Sequence, residues 1–322
     1  MRLRLVKQNT NFDFFSRWKM WLGISALMVL IGLGSFFAQG LNFGIDFRGG
    51  TTIRSESPLP VDVAEYRDAM AVLGLGDITI TEVFDPQFRD DQNVAMIRIQ
   101  AQDDQEAVTA ETIAAVEAAL EVVRPEIKFI SVESVGPKVS GELINTAIIA
   151  VVLAIGAVLI YIWLRFEWQF AAGAVLALLH DVVLTIGVFS ELQIRFDLAI
   201  IAALLTIVGY SLNDTVVVFD RVRENLRKYK SRDLKDVLNM SINETLSRTF
   251  MTSVTTLLAL IALFVLGGDV IRGFVFAMIW GVIVGTYSSI FVATAALLYF
   301  GVKRDWSKTD VNAGNQYANI DA

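Results

Sequence analysis

The chain has 322 residues, with 27 Lys+Arg against 34 Asp+Glu, one His, no Cys, 54% apolar side chains and a mean hydropathy of +0.54. A soluble domain holds about 45–50% apolar residues even with glycine counted, so the excess points to a membrane. Without cysteine there is no disulfide framework and no thiolate cluster, and one histidine leaves no room for a His-based zinc site. The net charge of -7 speaks against a nucleic-acid partner. No cofactor, no metal and no enzymatic activity are expected.

In chain order, residues 1–17 read as a cytoplasmic arm. Residues 1–20 hold Arg2, Arg4, Lys7, Arg17 and Lys19 against Asp13. The first apolar run, 18–38, reads as an uncleaved signal anchor, since no small-residue cleavage site is clear. A block at 39–142 follows; its residues 40–142 hold 8 Lys+Arg and 19 Asp+Glu, a balance of -11 that holds the whole deficit. Five further apolar runs lie within 143–300, at 143–164, 168–189, 196–219, 250–266 and 273–300, each near the 17–25 residues that cross a bilayer as a helix. Residues 301–322 form a polar tail. Lys and Arg in short connections resist translocation. They cluster in the N-terminal arm, at Arg165, from Arg221 to Arg248 and in the tail, so both termini are expected in the cytoplasm and the acidic block in the periplasm. The basic stretch from Asp220 to Ser247 is expected as a loop, much of it an amphipathic helix at the anionic inner leaflet.

Within the block the pattern shortens. Strands are expected at 51–57, 78–84, 94–100 and 127–132. Helices are expected at 60–73, opened by Pro60 with Ala64, Tyr66, Met70 and Leu73 inward, and at 103–123, with Val108, Ile113, Val116 and Leu120 inward. The order β-α-β-β-α-β is the ferredoxin-like split arrangement. The expected fold is therefore a polytopic α-helical membrane protein, six transmembrane helices with one α+β ferredoxin-like periplasmic domain between the first two. The domain carries no catalytic group and reads as a binding or moving part.

Few ionisable groups lie inside the spans, and each is expected to face the bundle interior. The fourth span carries Tyr210, Ser211, Asn213, Asp214 and Thr215, and Arg248 opens the fifth at a depth similar to that of Asp214. The third carries His180 and Asp181. Two readings stay open for both pairs: hydrogen bonds that hold helices together, or groups that carry protons. Gly281, Gly285 and Ser289 form a small-residue stripe suited to close helix packing.

Five segments carry a resemblance: 44–51 (GIDFRGGT), 135–143 (VGPKVSGEL), 209–225 (GYSLNDTVVVFDRVREN), 241–256 (SINETLSRTFMTSVTT) and 281–293 (GVIVGTYSSIFVA). They resemble the signatures of the SecD/SecF family of protein-export membrane proteins, on its SecF side, in the resistance-nodulation-division superfamily. The resemblance implies a subunit working with SecD beside the SecYEG channel, often with YajC and YidC, and using the proton-motive force on a translocating polypeptide. It also implies that the family's intramembrane carboxylate is Asp214 and its arginine partner Arg248. The alternatives are a half-size proton-coupled small-molecule exporter, for which so small a domain offers little room, and an intramembrane aspartyl protease pairing Asp181 with Asp214.

Overall fold

The computed structural model describes residues 10–76, 78–89, 91–100 and 108–302. Arg2, Arg4 and Lys7, positions 103–107 of the expected second helix of the domain, and the tail from Lys303 lie outside them. The elements run α1 (Trp18–Gln39), α2 (Ile45–Arg48), β1 (Gly50–Ser57), α3 (Val63–Ala71), β2 (Ile78–Val83), β3 (Asn93–Gln100), α4 (Ala110–Val123), β4 (Lys128–Val135), α5 (Pro137–Arg165), α6 (Trp168–Glu191), α7 (Leu198–Lys228), α8 (Leu234–Leu266) and α9 (Asp269–Ser288). A π-helical turn, Ser289–Ala293, then leads into α10 (Thr294–Phe300). Among the described residues six helices are long and apolar enough to cross a membrane: α1, α5, α6, α7, α8 and the α9–α10 rod.

The inner spans are α6, α7 and α9–α10, while α1, α5 and α8 bury few of their residues. Helices pack without a hydrophobic drive in lipid, so close approach depends on small residues. A Cβ on Gly281 would stand 2.3 Å from Ile207 Cγ1 and one on Gly285 3.0 Å from Ser211 Cβ, which brings α9 against α7. A second crossing, absent from the sequence reading, joins α1 to α6: a Cβ on Gly187 would stand 2.6 Å from the Cα of Gly32.

The basic stretch between the fourth and fifth spans is neither a loop nor a separate surface helix. α7 continues to Lys228 and α8 starts at Leu234. Val222, Leu226, Val237, Leu238 and Ile242 are buried in one cluster with Phe15, Phe166 and Phe219. An apolar seam thus runs through residues whose charges dominate the composition, and the two helices extend as a hairpin to bury it. The N-terminal arm docks on that hairpin: Phe12 N donates to Asn243 Oδ1 at 2.8 Å, Asn243 Nδ2 donates to Phe12 O at 2.8 Å, and Phe14 N donates to Asn239 Oδ1 at 2.8 Å.

The domain between α1 and α5 is a four-stranded antiparallel sheet in the order β2-β3-β1-β4, the ferredoxin-like arrangement. α3 and α4 cover one face, around Ile53, Tyr66, Met70, Ile97, Val116 and Leu120. Asp62 caps α3 by accepting from Ala64 N and Glu65 N. The helix therefore begins after Asp62 and not at Pro60, its inward stripe runs Val63, Tyr66, Met70, and Ala64 is exposed. The four-residue α2 is too short to show in a periodicity. It ends at Gly49 with φ +74°, followed by Gly50 at φ +130°. Both angles suit glycine alone, so this pair turns the chain into β1.

Two stitches hold the domain to the spans. The linker after α1 pairs with the α6–α7 loop: Gly44 N donates to Phe196 O at 2.8 Å, Phe196 N to Asn42 O at 2.8 Å, and Leu198 N to Asp46 Oδ2 at 3.0 Å. The end of β2 pairs with the α8–α9 turn: Phe84 N donates to Asp269 Oδ2 at 2.7 Å, and Asp269 N donates to Phe84 O at 3.1 Å.

Candidate functional site

The polar residues of the spans converge on Asp181, in the middle of α6. Its Oδ1 faces His180 Nδ1 at 3.0 Å, and its Oδ2 accepts from Ser211 Oγ on α7 at 2.6 Å and from Ser288 Oγ at the end of α9 at 2.8 Å. All four side chains are buried. A carboxyl group with hydroxyl donors from two neighbouring helices fastens three spans together. Thr185, one turn along, donates to the carbonyl of Asp181 at 2.8 Å. His180 stacks on Tyr287, with ring centroids 6.1 Å apart, and its Nε2 is buried with no hydrogen-bond partner among the described residues. The Tyr287 hydroxyl donates to Trp21 O at 2.8 Å, so Ser25 Oγ, 2.9 Å from it, is the donor of that second bond. The polar side chains thus reach from α1 through α9 and α6 to α7.

Asp214 lies one turn along α7 from Ser211. It is 3% exposed, and its Oδ2 has no hydrogen-bond partner among the described residues. Arg248 stands near enough for its charge to act on Asp214, yet no ion pair joins the two and the arginine is exposed on α8. Thr215 is buried beside Asp214, whereas Asn213 faces outward. The hydroxyl of Tyr210 reaches Thr256 Oγ1 on α8 at 3.5 Å. No hydrogen bond links Asp181 to Asp214 among the described residues, and both oxygens of Asp181 are engaged. This geometry lacks the shared proton that an aspartyl protease needs.

Ser289, expected in the packing stripe, donates to the carbonyl of Thr286 at 3.0 Å. Ser288 is the residue that reaches Asp181, and the sequence reading missed it. Positions four apart drift by about 40° per step on a helix of 3.6 residues per turn. A 4-then-3 spacing, Gly281, Gly285, Ser288, stays on one face.

Six spans, an α+β domain after the first, and buried carboxylates among the inner helices define a polytopic membrane protein of the transport class. The profile of the family described as "Protein export membrane protein SecD/SecF, C-terminal" matches residues 115–303, and that of the "SecD/SecF GG Motif" matches 34–54, which contains the Gly49–Gly50 turn. The chain is 61% identical to the protein translocase subunit SecF of Cereibacter sphaeroides, over 100% of this chain and 99% of that one. It is 57% identical to the SecF of Rhodobacter capsulatus, over 96% and 95%. Among solved structures it resembles SecDF, a translocon-associated membrane protein from Thermus thermophilus, with a TM-score of 0.81 and 35% identity over 93% of this chain. It spans 40% of that SecDF chain. The chain belongs to the SecD/SecF family of protein-export membrane proteins and is a multi-pass protein of the inner membrane.

Proposed function

We propose that the chain works as the SecF-type subunit of the Sec preprotein translocase and couples the proton-motive force to polypeptide export. A SecD-type partner supplies the rest of the SecDF assembly, the pair stands beside the SecYEG channel, and YajC and YidC are further neighbours. Both termini are cytoplasmic and the ferredoxin-like domain is periplasmic, where it meets the emerging polypeptide.

The observation that carries proton coupling is the contrast between the two buried carboxylates. Asp181 has a hydrogen-bond partner at each oxygen, which suits a fixed anchor, with His180 as a relay at its side. Asp214 is as deeply buried but has an oxygen without a donor and no ion-paired arginine among the described residues. A buried carboxylate in that state is costly as an anion, and taking up a proton relieves the cost. Protonation also removes the attraction between Asp214 and Arg248, so it changes the force between α7 and α8. One charge crossing the membrane gains about 2.3 kcal/mol per 100 mV, and a few protons bias a two-state domain equilibrium by several kcal/mol.

Co-purification tests the assignment. The chain should come out of mild detergent with a SecD-type partner and with channel subunits, and Asp214→Asn should come out with the same partners. Purification without either partner would overturn the reading. The exporter alternative predicts small-molecule efflux from vesicles holding this chain alone; the export reading predicts none.

A further inference from the structure

Between the open face of the sheet and the tops of the spans lies a cavity of about 390 Å³, bounded by the two stitches that tie the domain down. Its upper wall is cationic. Alternation along β1 and β3 puts Arg54, Met96 and Arg98 on the face turned away from α3 and α4, with Arg54 directly opposite Met96. From the spans, Arg195 on the α6–α7 loop and Arg272 on α9 complete the lining.

Two of these cations have a carboxylate within ion-pair distance, and no ion pair is found for Arg54 or Arg98 among the described residues. Arg272 bonds Asp269, and Arg195 Nε lies 3.3 Å from Asp197 Oδ2. Arg98 instead points Nη2 at the thioether of Met96, 3.2 Å away, and Arg195 Nη1 approaches the same sulfur at 3.7 Å. A thioether is a weak acceptor. Two guanidinium groups thus converge on one sulfur, and Asp197, whose charge acts on both, makes its ion pair with Arg195. The Nε atoms of Arg54, Arg98 and Arg195 are buried and have no hydrogen-bond partner among the described residues. Burial, then the charge of Arg195, lowers the Arg98 guanidinium to about 10, so it is still a cation at neutral pH. Counting the lining, four arginines face three carboxylates, Glu82, Asp197 and Asp269, of which Asp197 and Asp269 are already paired with Arg195 and Arg272. The cavity is therefore short of an anion.

Its lower wall is apolar. Phe264 at the end of α8 and Val270 and Phe274 at the start of α9 line it. Beside them Val265 and Leu266 are more than 60% exposed on the outer surface of α8. An arginine roof above a phenyl floor at the end of a lipid-facing helix has the polarity of a phospholipid, phosphate above and acyl chain below.

We propose that this cavity binds the phosphodiester headgroup of an anionic phospholipid from the leaflet on the domain's side, held by Arg54 and Arg98, with its acyl chain along α8. The lipid supplies the missing counter-anion and joins the domain to the membrane at a third point.

The test is native mass spectrometry of the purified full chain titrated with dioleoylphosphatidylglycerol or dioleoylphosphatidylcholine. The wild type should retain the anionic lipid roughly tenfold to thirtyfold better, the effect of two arginine–headgroup contacts. Met96→Glu, which offers Arg98 and Arg195 an internal carboxylate directly opposite Arg54, should remove that preference, as should Arg54→Gln with Arg98→Gln if the double variant folds. Arg54→Lys with Arg98→Lys should keep most of it. Equal retention of the two lipids by the wild type would overturn the proposal, and so would an undiminished preference in Met96→Glu. A third arm adds inorganic phosphate: thermal stabilisation by millimolar phosphate with none from the anionic lipid would assign the site to a free oxyanion and overturn the lipid reading.

Discussion

Asp181 on α6 bonds Ser211, one turn of α7 away from Asp214, yet the two carboxyl groups differ in their partners. Asp181 is the acceptor for Ser211 and Ser288. Removing a hydrogen bond to a charged group costs about 1.5–3 kcal/mol. Ser211→Ala and Ser288→Ala should therefore each lower the midpoint of thermal unfolding of the detergent-purified chain. Ser289→Ala, which loses only a bond to the carbonyl of Thr286, should shift it by well under half as much; equal shifts for all three would remove Asp181 from the centre of the network. At this scale the sequence marks the ionisable groups but not their partners. His180, Asp181 and Asp214 stand out because charge is rare in an apolar run. Serines and tyrosines are ordinary there, so the roles of Ser25, Tyr287 and Ser288 depend on which helix faces which. The distance between Asp214 and Arg248 was equally beyond reach, because it depends on the pitch of α7 against α8.

Elements meet where side chains are smallest. At the α1–α6 crossing a methyl group on Gly187 would collide with the backbone of Gly32, and backbone cannot move aside as a flexible side chain can. Overpacking of this kind costs about 1–3 kcal/mol. Gly187→Ala should destabilise the purified chain by that order, while Gly209→Ala, whose new methyl group meets open space in this chain, should be neutral or slightly stabilising. Thermal unfolding of the two variants side by side checks this; a neutral Gly187→Ala would mean that the crossing is loose. Span-length runs and alternating strands were legible because period and length report directly on burial. The helical hairpin within residues 220–247 was not, because there the seam of Val222, Leu226, Val237 and Ile242 is interrupted by six basic residues and the average conceals the period.

At the scale of the whole molecule, one domain rests on a bundle through a few polar contacts. Asp269 carries one of the two stitches, accepting from Phe84 N and donating its own N–H to Phe84 O. Asp269→Ala should speed hydrogen exchange at the end of β2 around Phe84 by about tenfold, in line with the loss of one charged hydrogen bond. Exchange in the core strands β1 and β3 should stay unchanged; acceleration throughout the sheet would mean that the domain unfolds as a whole. The order of spans and domain could be read from the sequence alone. How the sheet's arginine face sits on the spans could not, since it depends on contacts between residues far apart in the chain.

In the proposed mechanism Asp214 is the group through which protons act. Inverted membrane vesicles carrying the channel, the SecD-type partner and either the wild type or Asp214→Asn measure this directly, by precursor translocation with and without an imposed proton-motive force. The stimulation by that force seen with the wild type should disappear in Asp214→Asn, with subunit levels and force-independent translocation unchanged. Full stimulation in Asp214→Asn would contradict the account.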